Sequence, residues 1–563
     1  MKQAKRLFWN ALLLTAATLL MRTVGVSFQV YVSNRVGAEA MGLFSLMSGV
    51  YGFALTLATS GIHLGVTRVV ADAIGEARPY AVRPAMRRAL CYAMSFGCLS
   101  AIALASFAPI IGQKWLHDAR TVASLRLFAI SLPLIALSSA LNGYFVAVRR
   151  VYKNAIVQVF EQAVKITVTM YLLTLLMADG IERTCCALVL GGTVAEILSC
   201  LLSACLYLFD RRKRFRSLDR QTGSMEGKKL LRISLPVALT AYARSGLLTL
   251  QHILIPMGLR NSGSSHSASL IAYGSIHSMA LPVVLYPAAL ISSFSGLLVP
   301  ELAECKVQNS NRRIRYMISR VWSLSLIFSI GVAGILTCFS YEIGNALYPN
   351  TDAGYYIRIL APLIPIMYVD TATDAMMKGL GEQVYSMNIN IADALISVLL
   401  VWILVPRYGI NGYLFSIYFS EMFNTVFSIT HLLSISKTPV RLLKWVYKPL
   451  FCIVCATSAV HYLFPLLKIN FSSAALSITV HCVMAVLLYL LLLSLTGGVE
   501  QEDRHWIGTL ICREEPTPCS CVGRVKGTID ETVCPQERHA GSDTKVKNPP
   551  RANAASFRDR PDS

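Results

Sequence analysis

Nine ionisable residues lie inside apolar stretches long enough to cross a membrane: Arg22, Glu161, Lys165, Glu196, Arg244, Asp370, Asp374, Asp393 and Glu421. A charge at the centre of a bilayer costs about 2.5 to 3.5 kcal/mol on insertion scales, so such groups face a cavity or a partner. Arg22 sits midway along the first stretch and Arg244 midway along the seventh. Two guanidiniums converging on one cleft suit a phosphate or pyrophosphate, because arginine offers a planar fork of donors and keeps its charge when desolvated. The alternative is that each pairs with an acid on a neighbouring helix and fixes packing. Glu161 and Lys165 stand four residues apart, as do Asp374 and Lys378, which puts each pair on one helix face and predicts an internal salt bridge in each. Asp370, Asp393, Glu196 and Glu421 remain as candidates for a proton or sodium site, against a structural hydrogen bond for each. His63, His252 and His277 read as packing residues.

The charged residues recur in a pattern. Arg22 is answered by Arg244, Pro133-Leu134-Ile135 by Pro362-Leu363-Ile364, Val151-Tyr152 by Val384-Tyr385 and Glu196 by Glu421, at offsets of 222, 229, 233 and 225 residues. Glu161 and Asp393 follow their Val-Tyr pairs at nearly matched depth. The expectation is a duplicated six-helix unit. With an even number of helices both halves enter from the same side, giving a parallel repeat about an axis along the membrane normal, and repeats of this kind are typical of transporters. A span needs roughly 20 apolar residues, and the hydropathy pattern predicts fourteen. Among them, the eighth is Ser269 to Leu298, the eleventh Val384 to Val405 and the twelfth Gly412 to Leu433. Runs this continuous must be helices, since barrel strands are short and alternating. The fold class is therefore an all-α polytopic membrane protein: two pseudo-symmetric six-helix lobes plus two extra C-terminal helices. The expected divisions are a first lobe at 1–209, a basic cytoplasmic linker at 210–230, a second lobe at 231–435, helices thirteen and fourteen at 436–496 and a disordered cytoplasmic tail at 497–563. Pro282 and Pro287 predict a kink in the eighth span.

Composition supports the membrane reading. Hydrophobic residues make up 54% and charged residues 15%, with a mean hydropathy of +0.53, too few charges to coat a soluble protein of 563 residues. With the N-terminus inside, inner segments carry 30 Lys and Arg and outer loops 9, so both termini are expected in the cytoplasm. The net charge of +21 implies contact with anionic lipid headgroups rather than nucleic acid, since the tail from Gly497 has 10 basic and 11 acidic residues. The first apolar run is too long for a signal peptide and reads as a retained helix. The fifteen cysteines suggest no disulfide framework. The tail cysteines Cys512, Cys519, Cys521 and Cys534 lack zinc-knuckle spacing, so no metal is expected. There is no P-loop sequence, which argues against an ATP-driven pump. Outer loops of at most about sixteen residues leave no room for a glycosyltransferase domain. The expectation is a protein that is not an enzyme and carries no cofactor.

Three segments resemble a known group: Met21-Arg22-Thr23-Val24-Gly25 leading to Gly37-Ala38-Glu39-Ala40-Met41-Gly42-Leu43, then Phe294 to Glu301, then Met377 to Met387. They resemble the stage V sporulation protein B-like members of the polysaccharide transporter branch of the multidrug/oligosaccharidyl-lipid/polysaccharide exporter superfamily, over about residues 5–495. The resemblance implies two six-helix lobes around a cavity that opens alternately to each side. It also implies two extra helices that shelter a lipid tail, and a substrate of the oligosaccharide-lipid or lipid II class. Arg22 matches the arginine of the first-helix motif that faces the substrate pyrophosphate. Where the family often has a second arginine seven residues on, this chain has Gln29, so that contact becomes a neutral amide. The function so implied is a flippase for undecaprenyl-pyrophosphate-linked glycan in the bacterial cytoplasmic membrane, serving cell-wall or spore-cortex synthesis. Its energy would come from membrane potential, Na+ or H+, a potential being worth about 2.3 kcal/mol per charge per 100 mV. A monomer is expected, with cell-wall synthesis enzymes as candidate partners. Two other readings stand beside it: a cation-coupled multidrug exporter of the same superfamily, and a non-transporting scaffold for envelope synthesis.

Overall fold

Backbone groups in hydrocarbon must find their partners within the segment, and every regular element among the described residues is helical. The computed structural model describes residues 2–59, 61–76, 81–176, 180–214, 226–349, 351–439, 443–463 and 474–497. The tail with its cysteines and the middle of the expected linker lie outside the described residues.

The first half runs α1 (Lys2–Val36), α2 (Ala38–Thr59), α3 (Ile62–Gly75), α4 (Val82–Ile110), α5 (Thr121–Ala147), α6 (Val151–Leu176) and α7 (Ile181–Arg214). The second runs α8 (Glu226–Asn261), α9 (His266–Gly274), α10 (Leu281–Leu285), α11 (Ala288–Val307), α12 (Asn311–Cys338), α13 (Ser340–Leu347), α14 (Ala353–Leu360), α15 (Ile364–Gly379) and α16 (Gln383–Ser436). The last two are α17 (Lys448–Leu463) and α18 (Ala474–Leu495). Because α7 continues to Arg214 and α8 begins at Glu226, Asp210 belongs to a helix and not to the linker.

Twelve segments among the described residues are long and apolar enough to span, against fourteen expected. The difference has three sources. The eighth expected span divides into His266–Leu285 and Ala288–Val307, the eleventh and twelfth run together as Gln383–Ser436, and α1 and α8 are not among the twelve. The division falls at Tyr286 and Pro287, where proline lacks an N–H and its ring collides with the carbonyl four residues back. A π-helical turn at Ser275–Ala280 distorts the same span further. The 54 residues of α16 would reach about 81 Å if straight. Instead the chain doubles back at Gly409, whose φ of 58° and ψ of −135° suit glycine alone. At Gly412 a β-carbon would lie 2.5 Å from the Leu404 carbonyl oxygen, so the two arms of α16 meet backbone to backbone beyond the turn.

Neighbour relations repeat between the halves. In the first, α4 packs on α5, α5 on α7, α3 on α5 and α1 on α6; in the second, α12 packs on α15, α15 on α16, α11 on α15 and α8 on α16. The halves meet where α2 runs against α8 and α9. This seam is polar and closely packed. Thr249 donates to the Gly49 carbonyl at 2.9 Å, Thr56 bonds Ser245 at 3.0 Å, and Gly49 lies against the His252 ring. Close backbones and interhelical hydrogen bonds supply the adhesion that apolar burial cannot give inside lipid.

Helices α17 and α18 pack on each other and on α12 through Ile327, Ile330, Ile453, Ala456, Tyr489 and Leu493. Glycines admit them: a β-carbon at Gly331 would sit 2.8 Å from the Tyr489 ring, and one at Gly334 would sit 2.3 Å from Ile453. Outward, residues such as Leu99, Ile102, Tyr171, Leu201 and Trp402 are exposed, an apolar belt suited to lipid.

Candidate functional site

Arg22 projects from α1 toward the broken helix of the second half. Its Nη2 donates over a long 3.4 Å to the Leu285 carbonyl, which stands at the break before Pro287. The neighbouring Thr23 hydroxyl bonds the Tyr286 hydroxyl at 2.7 Å. Gln29 donates its amide to the Ser278 carbonyl at 3.0 Å, within the π-helical turn. Distorted helical turns leave carbonyls without their usual partners, and polar side chains of α1 take them up. Gln29 is thus engaged with backbone, while Arg22 remains exposed apart from one long contact.

Arg244 is also exposed, on the face of α8 next to the one that meets α2. Its charge acts on Asp370 and Asp393. Among the described residues neither arginine forms an ion pair, which is the packing role weighed for them from sequence.

The acids fall into two groups, one in each half. In the second half, Asp370 of α15, Asp393 of the first arm of α16 and Glu421 of the second arm lie within one another's fields. Ser420 donates to Asp393 at 2.6 Å, Asn424 donates to one oxygen of Asp370 at 3.4 Å, and the other Asp370 oxygen is buried without a hydrogen-bond partner. In the first half, Glu161 of α6 lies beside Glu196 and Ser199 of α7. The expected Glu161–Lys165 salt bridge is a correction: no such pair forms within 4 Å among the described residues, because the exposed Lys165 side chain does not close on the carboxyl, although its charge still acts there. The other expected pair is present, with Lys378 Nζ 2.6 Å from Asp374. Among the described residues no three His, Cys, Asp or Glu are arranged to hold a metal ion.

His252 and His277 pack against aromatic rings as expected and also bond, whereas His63 is exposed. His252 Nδ1 meets the Tyr273 hydroxyl at 2.9 Å, and His277 Nε2 meets the Tyr413 hydroxyl. Sequence reasoning missed a group at the end of the bundle that carries the α1–α2 turn. There Asp118 is 6% exposed and is bonded by Arg120 and by His266. Burial alone would push the Asp118 carboxyl up, but the hydrogen bonds from Arg120 and His266 outweigh it and hold the group below the usual carboxylate range. A cavity of about 710 Å³ opens at the same end, lined by Ser33, Asn34, Glu39, Ser275 and Asp352 among others. It does not include Arg22, Gln29 or Arg244, and Arg22 lies about 16 Å below Ser33 along α1.

Twelve helical segments long and apolar enough to span, among the described residues, define a multi-pass membrane protein. The chain belongs to the polysaccharide biosynthesis protein family, which matches residues 7–305. It is 24% identical over 415 residues to stage V sporulation protein B of Bacillus subtilis (strain 168), covering 73% of this chain and 80% of that protein. It is 17% identical over 398 residues to sporulation protein YkvU of the same organism, covering 70% and 87%. In fold it is similar to lipid II flippase MurJ in an inward closed conformation, with a TM-score of 0.65 and 14% identity over 88% of this chain and 100% of that one. It is also similar to an inward-facing multidrug resistance MATE family transporter of the MOP superfamily, with a TM-score of 0.55 and 15% identity over 76% and 99%.

Proposed function

We propose that the chain is a flippase for undecaprenyl-pyrophosphate-linked glycan, lipid II or a related peptidoglycan precursor, working by alternating access in cell-wall or spore-cortex synthesis. The observation that carries this reading is the pair Arg22 and Arg244: both exposed, at matched places on the first helix of each half, and neither in an ion pair among the described residues. The names of the similar proteins, a stage V sporulation protein and a lipid II flippase, point the same way. The proposal includes fourteen crossings, two six-helix lobes, an N-terminus in the cytoplasm of a bacterium and a monomer whose inner basic loops meet anionic lipid. The repeated neighbour relations and the bias of Lys and Arg support it.

The physical obstacle is a diphosphate and a sugar crossing hydrocarbon. Guanidiniums substitute for lost hydration, with Arg22 leaving its weak backbone contact for a phosphate oxygen. Gln29 serves as a neutral donor once the Ser278 carbonyl releases it. The prenyl chain stays in lipid beside α17 and α18, so only the headgroup needs shelter. No covalent bond changes. Asp370 and Asp393 lie close enough to Arg244 for its charge to register on them, and Glu421 stands beside both acids, so an ion or proton there would alter the field that the second guanidinium presents; Glu196 with Glu161 is the corresponding group in the first half.

Reconstitution into vesicles, with the sidedness of a fluorescent lipid-linked precursor followed over time, tests the reading. Wild type is expected to equilibrate the probe, and Arg22→Ala and Arg244→Ala to slow it at least tenfold. The likeness to a multidrug transporter favours a second reading, export of a cationic drug coupled to the acids. Under that reading the same arginine changes leave transport intact and removal of Asp370 abolishes it.

A further inference from the structure

The link between α4 and α5 places Asp118 against the first residue of α9, across the seam between the halves. Its carboxylate accepts from Arg120 at 2.9 Å and 3.0 Å through Nε and at 2.6 Å through Nη2, and from His266 Nε2 at 3.1 Å. The same Arg120 reaches Glu39, at the start of α2, at 3.5 Å. Glu39 in turn accepts the Ser267 hydroxyl at 2.7 Å. The five side chains form a closed sequence in which two carboxylates of the first half each grip one residue of α9.

Just inside this ring the two helices touch directly. A β-carbon at Gly42 of α2 would lie 2.1 Å from the Leu270 carbonyl oxygen, and one at Gly274 would lie 2.3 Å from that of Ala38. The Ser45 and Ser278 hydroxyls bond one turn further in.

We infer that Asp118, Arg120, Glu39, His266 and Ser267 form a latch that shuts the two halves at the α1–α2 end and releases when that end opens. The distribution of charge makes it releasable. Breaking a buried ion pair across an interface would strand a carboxylate, which is strongly unfavourable. Here Arg120 belongs to the same half as both acids, so on opening it stays with them; of the hydrogen-bonded groups only His266 and Ser267 depart, along with the more distant charge of Arg260 on α8. Those two are polar, and His266 is about a third exposed, so water replaces the lost bonds. The glycine contact has the complementary property: it lets the backbones seal without side chains that must repack. The role of the latch in a transport cycle rests on the flippase reading, but the mechanical assignment does not.

Hydrogen exchange on the full-length protein in lipid nanodiscs reads the latch without substrate. In the variant carrying His266→Ala and Ser267→Ala, amides of 38–45 and 268–276 are expected to exchange roughly three- to tenfold faster than in wild type, with α17 and α18 unchanged. Asp118→Asn, which keeps the shape and loses the charge, is expected to show a smaller rise at the same two places. Unchanged exchange at both ends in both variants, or a rise shared equally by α17 and α18, would overturn the latch. A selective rise in a protein that fails to move lipid-linked glycan would keep the latch and remove the flippase reading instead.

Discussion

Asp210 is 1% exposed at the end of the bundle opposite the α1–α2 turn, and three groups hold it: the Tyr144 hydroxyl at 3.2 Å, Lys153 Nζ at 3.3 Å and the Arg150 guanidinium. Removing one partner of a buried charge cluster leaves the rest uncompensated, so Asp210→Ala is expected to cost about 3–5 kcal/mol and to lower the unfolding temperature of the solubilised protein markedly. A shift of under two degrees would contradict this. Asp118 behaves differently with pH. Its carboxyl is held below the ordinary value, so its stabilising contribution is complete above about pH 4 and fades as the pH falls through the lower, folded-state value. The gap in unfolding temperature between wild type and Asp118→Asn is expected to narrow as the pH is lowered below about 4; a gap that widens on that acidification would be inconsistent with the bonding described. At this scale the sequence is legible where hydropathy makes a charge anomalous, as at Arg22 and Arg244. It is not legible where charges sit in short links, because Asp118 and His266 are 148 residues apart and nothing local announces their meeting. Glu161 marks a third case: the four-residue spacing to Lys165 places both on one helix face but is silent about Glu196, which stands beside the same carboxyl on another helix.

Helices in this protein are interrupted where a residue forbids continuation. Pro287 divides the eighth expected span as its sequence predicts, whereas the π-helical turn before it carries no comparable signal, since Ser275 to Ala280 contains neither Gly nor Pro. Gly409 lies inside what was read as a short outer loop, and the turn there is so tight that α16 reads as one element. A side chain at φ 58° and ψ −135° is strained by roughly 1–3 kcal/mol, so Gly409→Ala is expected to destabilise the hairpin of α16 by that amount, measured as a lowered unfolding midpoint. Gly334→Val probes α17 instead. Its β-carbon would fall 2.3 Å from Ile453, forcing the helix away from α12. The expected outcome is faster protease cleavage between α17 and α18 with the remaining bundle still folded; cleavage at the wild-type rate would show that the glycine contact is dispensable.

For the whole molecule, duplication was legible because two halves under one packing scheme retain their anomalous residues at near-constant offsets, Arg22 with Arg244 and Glu196 with Glu421. The way the halves touch was not, since glycine and hydroxyl contacts such as Gly42 with Leu270 or Thr249 with Gly49 draw on residue types found throughout any membrane helix. In the proposed flippase two guanidiniums from different halves hold one diphosphate. The most direct measurement is the dissociation constant of a lipid-pyrophosphate-linked disaccharide for the solubilised protein, in wild type, Arg22→Ala, Arg244→Ala and the double variant. Each lost charge-assisted contact is worth about 1.5–3 kcal/mol, so each single change is expected to weaken binding at least tenfold and the double change about a hundredfold or more. A double variant that binds the disaccharide lipid as tightly as wild type would contradict the account.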